Sequence, residues 1–439
     1  MNYQELKNFN SQKYPILITS CFFLIILYVA FFHHNYWIDP DYLTYSNWGD
    51  DILSGNGKNV NILNAPPGGP IFYAFLNSFT GDAFLNAKLI SLFFGTGIVF
   101  VSYYIIRNVF NPKIALLGQL FVVFNPRVDG ISIRTINEII PIFLIFISFF
   151  FMTKNQTKIS NIMIIGTILG IAFMFRYQPI FILFAFVVFL LIRDKKIRTN
   201  LLSVAILVLF FIAAASPMFL YILIYMHGTV IDANPDFEYA TKSKYMNPEL
   251  IEEVKQNIAN NKPTRIYLAD FDLFLKNYFY NLFYHNPDKL FNFTSISNTS
   301  TIPPIPFLGL IPIFGALIYL LKIQLDKKNL SVLVGTFFGT LFSILSLGDI
   351  NIHFFALLVM PIIGLTILNF KKIDNNLRPI LIAPAIFMVF ISIIPVTRTE
   401  FFLSIWIVFP ALSALFFIKV IPKIISKTTK ASQITKQKL

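Results

Sequence analysis

Long apolar runs broken by short polar stretches dominate this chain. The runs are close to 20 residues, the length of helix that crosses a hydrocarbon core about 30 Å thick. Residues 14–32, 84–106, 114–124, 138–152, 162–175, 179–192 and 201–226 form the first seven runs. The third is short and is expected to gain a turn or two at each end. Residues 303–321, 330–347, 352–370, 379–395 and 401–421 form five more. The pattern predicts an all-α polytopic membrane protein with about twelve transmembrane helices.

Two polar stretches are too rich to be simple connections. The first, 33–67, carries Asp39 and Asp41, then Tyr42, Tyr45 and Trp48, then Asp50, Asp51 and a Gly55/Gly57 turn. It closes at Pro66-Pro-Gly-Gly-Pro70, which does not continue a helix and marks a rigid re-entry before the apolar piece 71–79. The second, 227–302, is far longer than an ordinary connection and is expected to hold structure. Within it 248–261 reads as a polar helix capped by Asn247. Residues 265–283 interleave aromatics with Asp270, Asp272 and Lys276, as in a helix lying in the membrane interface. The chain divides into an N-terminal membrane module (1–226), an outer loop with amphipathic helices (227–302), C-terminal membrane helices (303–421) and a basic tail (422–439).

Composition agrees. Hydrophobic residues make up 56% and charged residues only 13%, about half the charge of a soluble domain. The net charge of +13 does not indicate nucleic acid. With connections assigned to alternating sides, the side holding both termini has 22 Lys+Arg and 4 Asp+Glu, and the other has 13 and 18. That is the positive-inside asymmetry, and it predicts a multi-pass cell-membrane protein with both termini cytoplasmic. The single cysteine, Cys21, lies in the first run, so no internal disulfide is available. No small-residue cleavage site follows that run, which is long enough to be expected to stay as an anchor.

Few residues carry chemistry. Asp39 and Asp41 follow the first run, where water keeps a carboxylate inexpensive; at mid-membrane an ionised group costs roughly 3 kcal/mol or more. They read either as hydrated loop carboxylates or as a catalytic group in a loop tied at both ends. Arg176 ends the fifth run just before Pro179. It reads as a snorkelling arginine or as a guanidinium facing a lipid-linked phosphate. Glu138 opens the fourth run, where a carboxylate also suits the helix dipole. His353, near Asp349, reads as an interface histidine or a phosphate contact. His33, His34, His227 and His285 show no zinc spacing, and phosphate-loop, nucleophile-elbow and dinucleotide motifs are absent. Asn292-Phe-Thr and Asn298-Thr-Ser are short sequons of the kind that arise by chance.

In order and spacing these stretches resemble the GT-C superfamily of membrane glycosyltransferases, which includes protein mannosyltransferases and aminoarabinose transferases. Asp41-Tyr-Leu-Thr-Tyr45, then Ile52-Leu-Ser-Gly55, looks like the family's Asp-x-x-x-Tyr and Ile-Leu-x-Gly in the first outer loop. Pro66-Pro67 looks like its Pro-Pro element. Glu138, and Gly170 through Arg176, are similar to further family patterns. The resemblance covers about the first 200 residues well and the rest only by layout.

It implies a transferase moving a sugar from a polyprenyl-phosphate donor to a protein, lipid or glycan acceptor on the extracytoplasmic face of the bilayer. Asp41 is then the general base, with Asp39 as the close second, because an Asp-x-Asp pair is similar to the oligosaccharyltransferase first loop. Arg176, Glu138, His353 and Tyr45 line the substrate site. Many relatives have an Arg where His353 stands, and the outer C-terminal region is too small for an oligosaccharyltransferase soluble domain. No cofactor is specified, and a divalent cation stays open. The chemistry suits these residues. The donor brings its own leaving group, so the protein needs a carboxylate near the acceptor hydroxyl and a cation for the departing phosphate. A glycan polymerase or ligase would rely on basic outer residues, whereas this outer face is net acidic. A secondary transporter would show mid-membrane ionisable groups and related halves, and neither is seen.

Overall fold

The computed structural model describes residues 13–33, 40–56, 66–134, 137–155, 158–193, 196–226, 243–245, 248–259, 271–291, 373, 375–394 and 399–422, with isolated positions between 311 and 338 and Ser426. Among the described residues the regular structure is helical, and no strand occurs. That is what lipid requires, since a helix satisfies its backbone polar groups within itself. The protein is an all-α polytopic membrane protein.

The first ten helices are α1 (Lys13–Tyr28), α2 (Pro40–Leu53), α3 (Gly68–Thr80), α4 (Ala83–Val109), α5 (Pro112–Val123), α6 (Pro126–Ile133), α7 (Ile139–Lys154), α8 (Ile159–Phe175), α9 (Pro179–Ile192) and α10 (Ile197–Met226). Beyond them come α11 (Pro248–Ala259), α12 (Phe271–Tyr280), α13 (Asn286–Phe291), α14 (Arg378–Ile391) and α15 (Val408–Leu415). Three continuous stretches are long and apolar enough to cross a membrane: Lys13–Phe32, Ala83–Val109 and Ile197–Tyr221. The remaining apolar helices are shorter. One buried core runs through them: α7 packs between α4 and α8, α9 packs on α14, and α5 packs on α15. The most extensive seam joins α8 to α10. A Cβ added at Gly166 or Gly170 would lie 2.5 Å from the carbonyl oxygen of Leu207 or Phe211, so only glycine lets these backbones approach.

Three elements differ from the sequence expectation. The third run does not lengthen at its far end. Asn125 accepts a hydrogen bond from the Arg127 N–H at 2.8 Å, Pro126 opens α6, and the two helices meet at 60°. An N-cap followed by proline at the first helical position starts a new helix rather than extending an old one. The first polar stretch is not all loop, because Pro40–Leu53 is helical. The last run is not one helix. It passes from a 3-10 turn (Thr399–Ile405) through Trp406 and Ile407 into α15, and on into a π-turn (Phe416–Val420). The restart places Pro410 in the first turn of α15, where its missing N–H costs nothing. More than half of 303–321, most of 330–347, all of 352–370, Asn247 and both sequons lie outside the described residues.

Candidate active site

Four segments distant in sequence meet at one end of the bundle: α2, α3, the residue before α7 and the residue after α8. Arg176 follows the last turn of α8, its N–H still bonded to the Ala172 carbonyl at 3.1 Å. Its backbone is extended, and the chain turns at once into α9. Glu138 immediately precedes α7. The two side chains meet, with Arg176 Nη2 2.7 Å from Glu138 Oε1. Both are buried, so Arg176 turns inward instead of snorkelling. Two residues singled out separately from sequence thus form one ion pair.

Over this pair lies α2. The Tyr45 ring centre is 5.5 Å from the Arg176 guanidinium carbon, within cation–π range. Asp41 occupies the first turn of α2, four residues before Tyr45. Residues so spaced are neighbours on a helix face, with Cβ atoms about 5–6 Å apart. Asp41, Tyr45 and the ion pair therefore belong to one neighbourhood, and Asp41 is only partly covered.

Neutral hydrogen bonds hold α2 in place. Tyr42 donates to Asn77 Oδ1 at 3.1 Å, and Asn77 Nδ2 donates to Ser46 Oγ at 2.6 Å. Asn86 of α4 adds a 2.8 Å bond to the same Asn77 oxygen. Burial pushes the Tyr42 hydroxyl up to about 12, against the opposing effect of the Asn77 bond, so Tyr42 stays neutral. The proline–glycine element has a plain steric role. Pro66 through Pro70 are buried, and a Cβ on Gly68 would lie 2.6 Å from the Met174 carbonyl oxygen. The start of α3 therefore sits against the turn of α8 that carries Arg176. Phe72 meets Phe175 edge-on at 5.7 Å.

Two further residues stand out: Tyr73, packed into this neighbourhood, and Asn137, next to Glu138 in the chain. Tyr73 is fully buried against Tyr42, with ring centres 4.8 Å apart, and lies within electrostatic reach of Arg176 and Glu138. Its hydroxyl has no hydrogen-bond partner. Asn137, 2% exposed, has no partner for either carboxamide atom. Sequence reasoning passed over both, because Tyr73 reads as one more aromatic in 71–79 and Asn137 as loop. Asp39 and His353 lie outside the described residues. Among the described residues, no three His, Cys, Asp or Glu side chains gather as metal ligands.

Residues 64–221 match the dolichyl-phosphate-mannose-protein mannosyltransferase family. Over that stretch the chain is similar to GT-C membrane glycosyltransferases. The matched stretch is a little over a third of the chain. It runs from the proline–glycine element into α10 and contains Tyr73, Asn137, Glu138 and Arg176, with Asp41 just ahead of it. Among solved structures, the chain is similar to ArnT from Cupriavidus metallidurans bound to undecaprenyl phosphate. The identity is 13% and the TM-score 0.43, covering 91% of this chain and 77% of that one. For the same protein in the apo state the identity is 13% and the TM-score 0.40, covering 90% and 77%. No curated protein matches the chain.

Proposed function

We propose that the protein transfers a sugar from a polyprenyl-phosphate carrier to a hydroxyl acceptor on the outer face of the membrane. In the step envisaged, the acceptor oxygen attacks the anomeric carbon, and its proton passes to the Asp41 carboxylate. The bond from that carbon to the phosphate oxygen breaks, and polyprenyl phosphate leaves with the electron pair. Direct displacement inverts the anomeric centre. A donor that carries its own leaving group needs no second carboxylate as acid, unlike a glycoside hydrolase. Arg176 is the cation for the departing phosphate. Glu138 fixes the guanidinium's direction.

The observation that supports this reading most is the convergence of Asp41 and Tyr45 on α2 with the buried Glu138–Arg176 pair at one end of a GT-C module. The donor class also follows the dolichyl-phosphate-mannose substrate in the name of the matched family. The test is transfer of labelled sugar from lipid-phosphate donors into membranes. Asp41→Asn is expected to lower the rate by roughly 10²–10⁴, the usual contribution of a general base, while Asp39→Asn retains most of it. Full transfer by both variants would refute the base assignment.

A further inference from the structure

The described side chains around the ion pair leave two polar groups unanswered. Tyr73 is completely buried with an unpartnered hydroxyl, and Asn137 is 2% exposed with an unpartnered carboxamide nitrogen and oxygen. Buried polar groups are almost always paired, and leaving one unpaired forfeits solvation that folding does not return. Neighbouring Asn77 and Asn86, by contrast, are bonded to Tyr42, Ser46 and Thr80. We infer that Tyr73 and Asn137 hydrogen-bond the hydroxyls of the donor sugar, an inference that rests on the lipid-linked donor reading.

The chemistry of the unpaired atoms selects the ligand. Phosphate oxygens only accept, so a bare phosphate leaves Asn137 Oδ1 without a donor. A sugar hydroxyl both donates and accepts, and so matches the Asn137 carboxamide and the Tyr73 hydroxyl alike. Neither side chain is charged, and the nearby charges already offset each other in the Glu138–Arg176 pair. Position agrees too. Asn137 adjoins Glu138 in the chain, and Tyr73 lies within reach of both members of the pair. A sugar joined to a phosphate at Arg176 lies in that neighbourhood. Both are binding residues, and no proton transfer passes through them.

The test uses the full chain in nanodiscs with two probes, polyprenyl phosphate and polyprenyl-phosphate-linked hexose. Tyr73→Phe, Asn137→Leu and Asn137→Ala are compared with wild type. Without ligand, the melting temperature of Tyr73→Phe should be unchanged or higher, since the lost hydroxyl had no partner. Each variant should bind the bare phosphate within about twofold of wild type and the hexose-bearing lipid about 10-fold more weakly. Equal losses for both lipids would assign the contacts to the phosphate. Unchanged affinity for both would assign the groups to trapped water, and a lower ligand-free melting temperature for Tyr73→Phe would make the hydroxyl structural. Each of these overturns the inference. Wild type binding the bare phosphate as tightly as the hexose-bearing lipid overturns it alone, whereas wild type binding neither lipid defeats the donor reading itself.

Discussion

Two buried arginines divide this molecule into a region that holds and a region that works. Arg127, in the first turn of α6, donates to the Lys289 carbonyl at 3.0 Å and lies in the field of Glu400 and Asp288. Most carboxamides near it are fully engaged. Asn281 donates to the carbonyls of Ser392 and Ile394, and Asn286 donates to Ser392 Oγ at 2.9 Å. Asn125 keeps an unpartnered Nδ2, but its oxygen caps α6. These contacts tie the segment around α13 and the residues after α14 to the N-terminal module. Arg176 is equally buried, yet Tyr73 and Asn137 in its neighbourhood have polar atoms without partners. Burial of a charge therefore does not by itself mark a working site. The state of the neutral groups around it does.

The sharpest test of that contrast removes each arginine. Arg176→Ala should lower sugar transfer by about 10²–10³, the loss expected on deleting a donor that stabilises developing charge, and should weaken dependence on the lipid donor. Donor dependence that stays the same would remove its role. Glu138→Gln leaves Arg176 buried without its carboxylate and should cost about 3–5 kcal/mol of stability, read by thermal unfolding in detergent with and without Arg176→Met in a double-mutant cycle. Additive effects would show the pair to be uncoupled. Arg127→Met should cost about 1–3 kcal/mol, because the Lys289 carbonyl loses its donor, while transfer at saturating donor stays near wild type. A large loss of transfer in a well-folded Arg127→Met protein would erase the contrast. Gly49→Ala should likewise cost about 1–3 kcal/mol, through overpacking against the Pro70 carbonyl and Ala74, read as a lower melting temperature.

Hydropathy made much of the helical frame legible. The runs at 84–106, 162–175 and 179–192 reappear as α4, α8 and α9 within a few residues, because a continuous apolar run admits few structures in lipid. It did not reveal α2. Three aspartates hide the recurrence of Tyr42, Tyr45, Ser46 and Gly49, which face α3 at helical spacing. The family motifs pointed to Glu138 and Arg176 individually, but not to their pairing. Run length fixes where a helix starts and stops, not how it is rotated about its axis, and that rotation brings side chains 38 residues apart into contact. Tyr73 and Asn137 were invisible for a related reason: an unpaired hydrogen-bonding group is a property of surroundings, not of residue type.

The glycine contacts of α8 have a mechanical consequence. Gly166 and Gly170 set that helix backbone-to-backbone on α10, and Gly68 wedges the start of α3 against its last turn. Rods in such contact cannot slide past each other without collision, so the guanidinium at the tip of α8 is fixed in height like a post set in stone. Any opening that admits a bulky lipid-borne sugar must therefore come from elements that touch this post only through side chains.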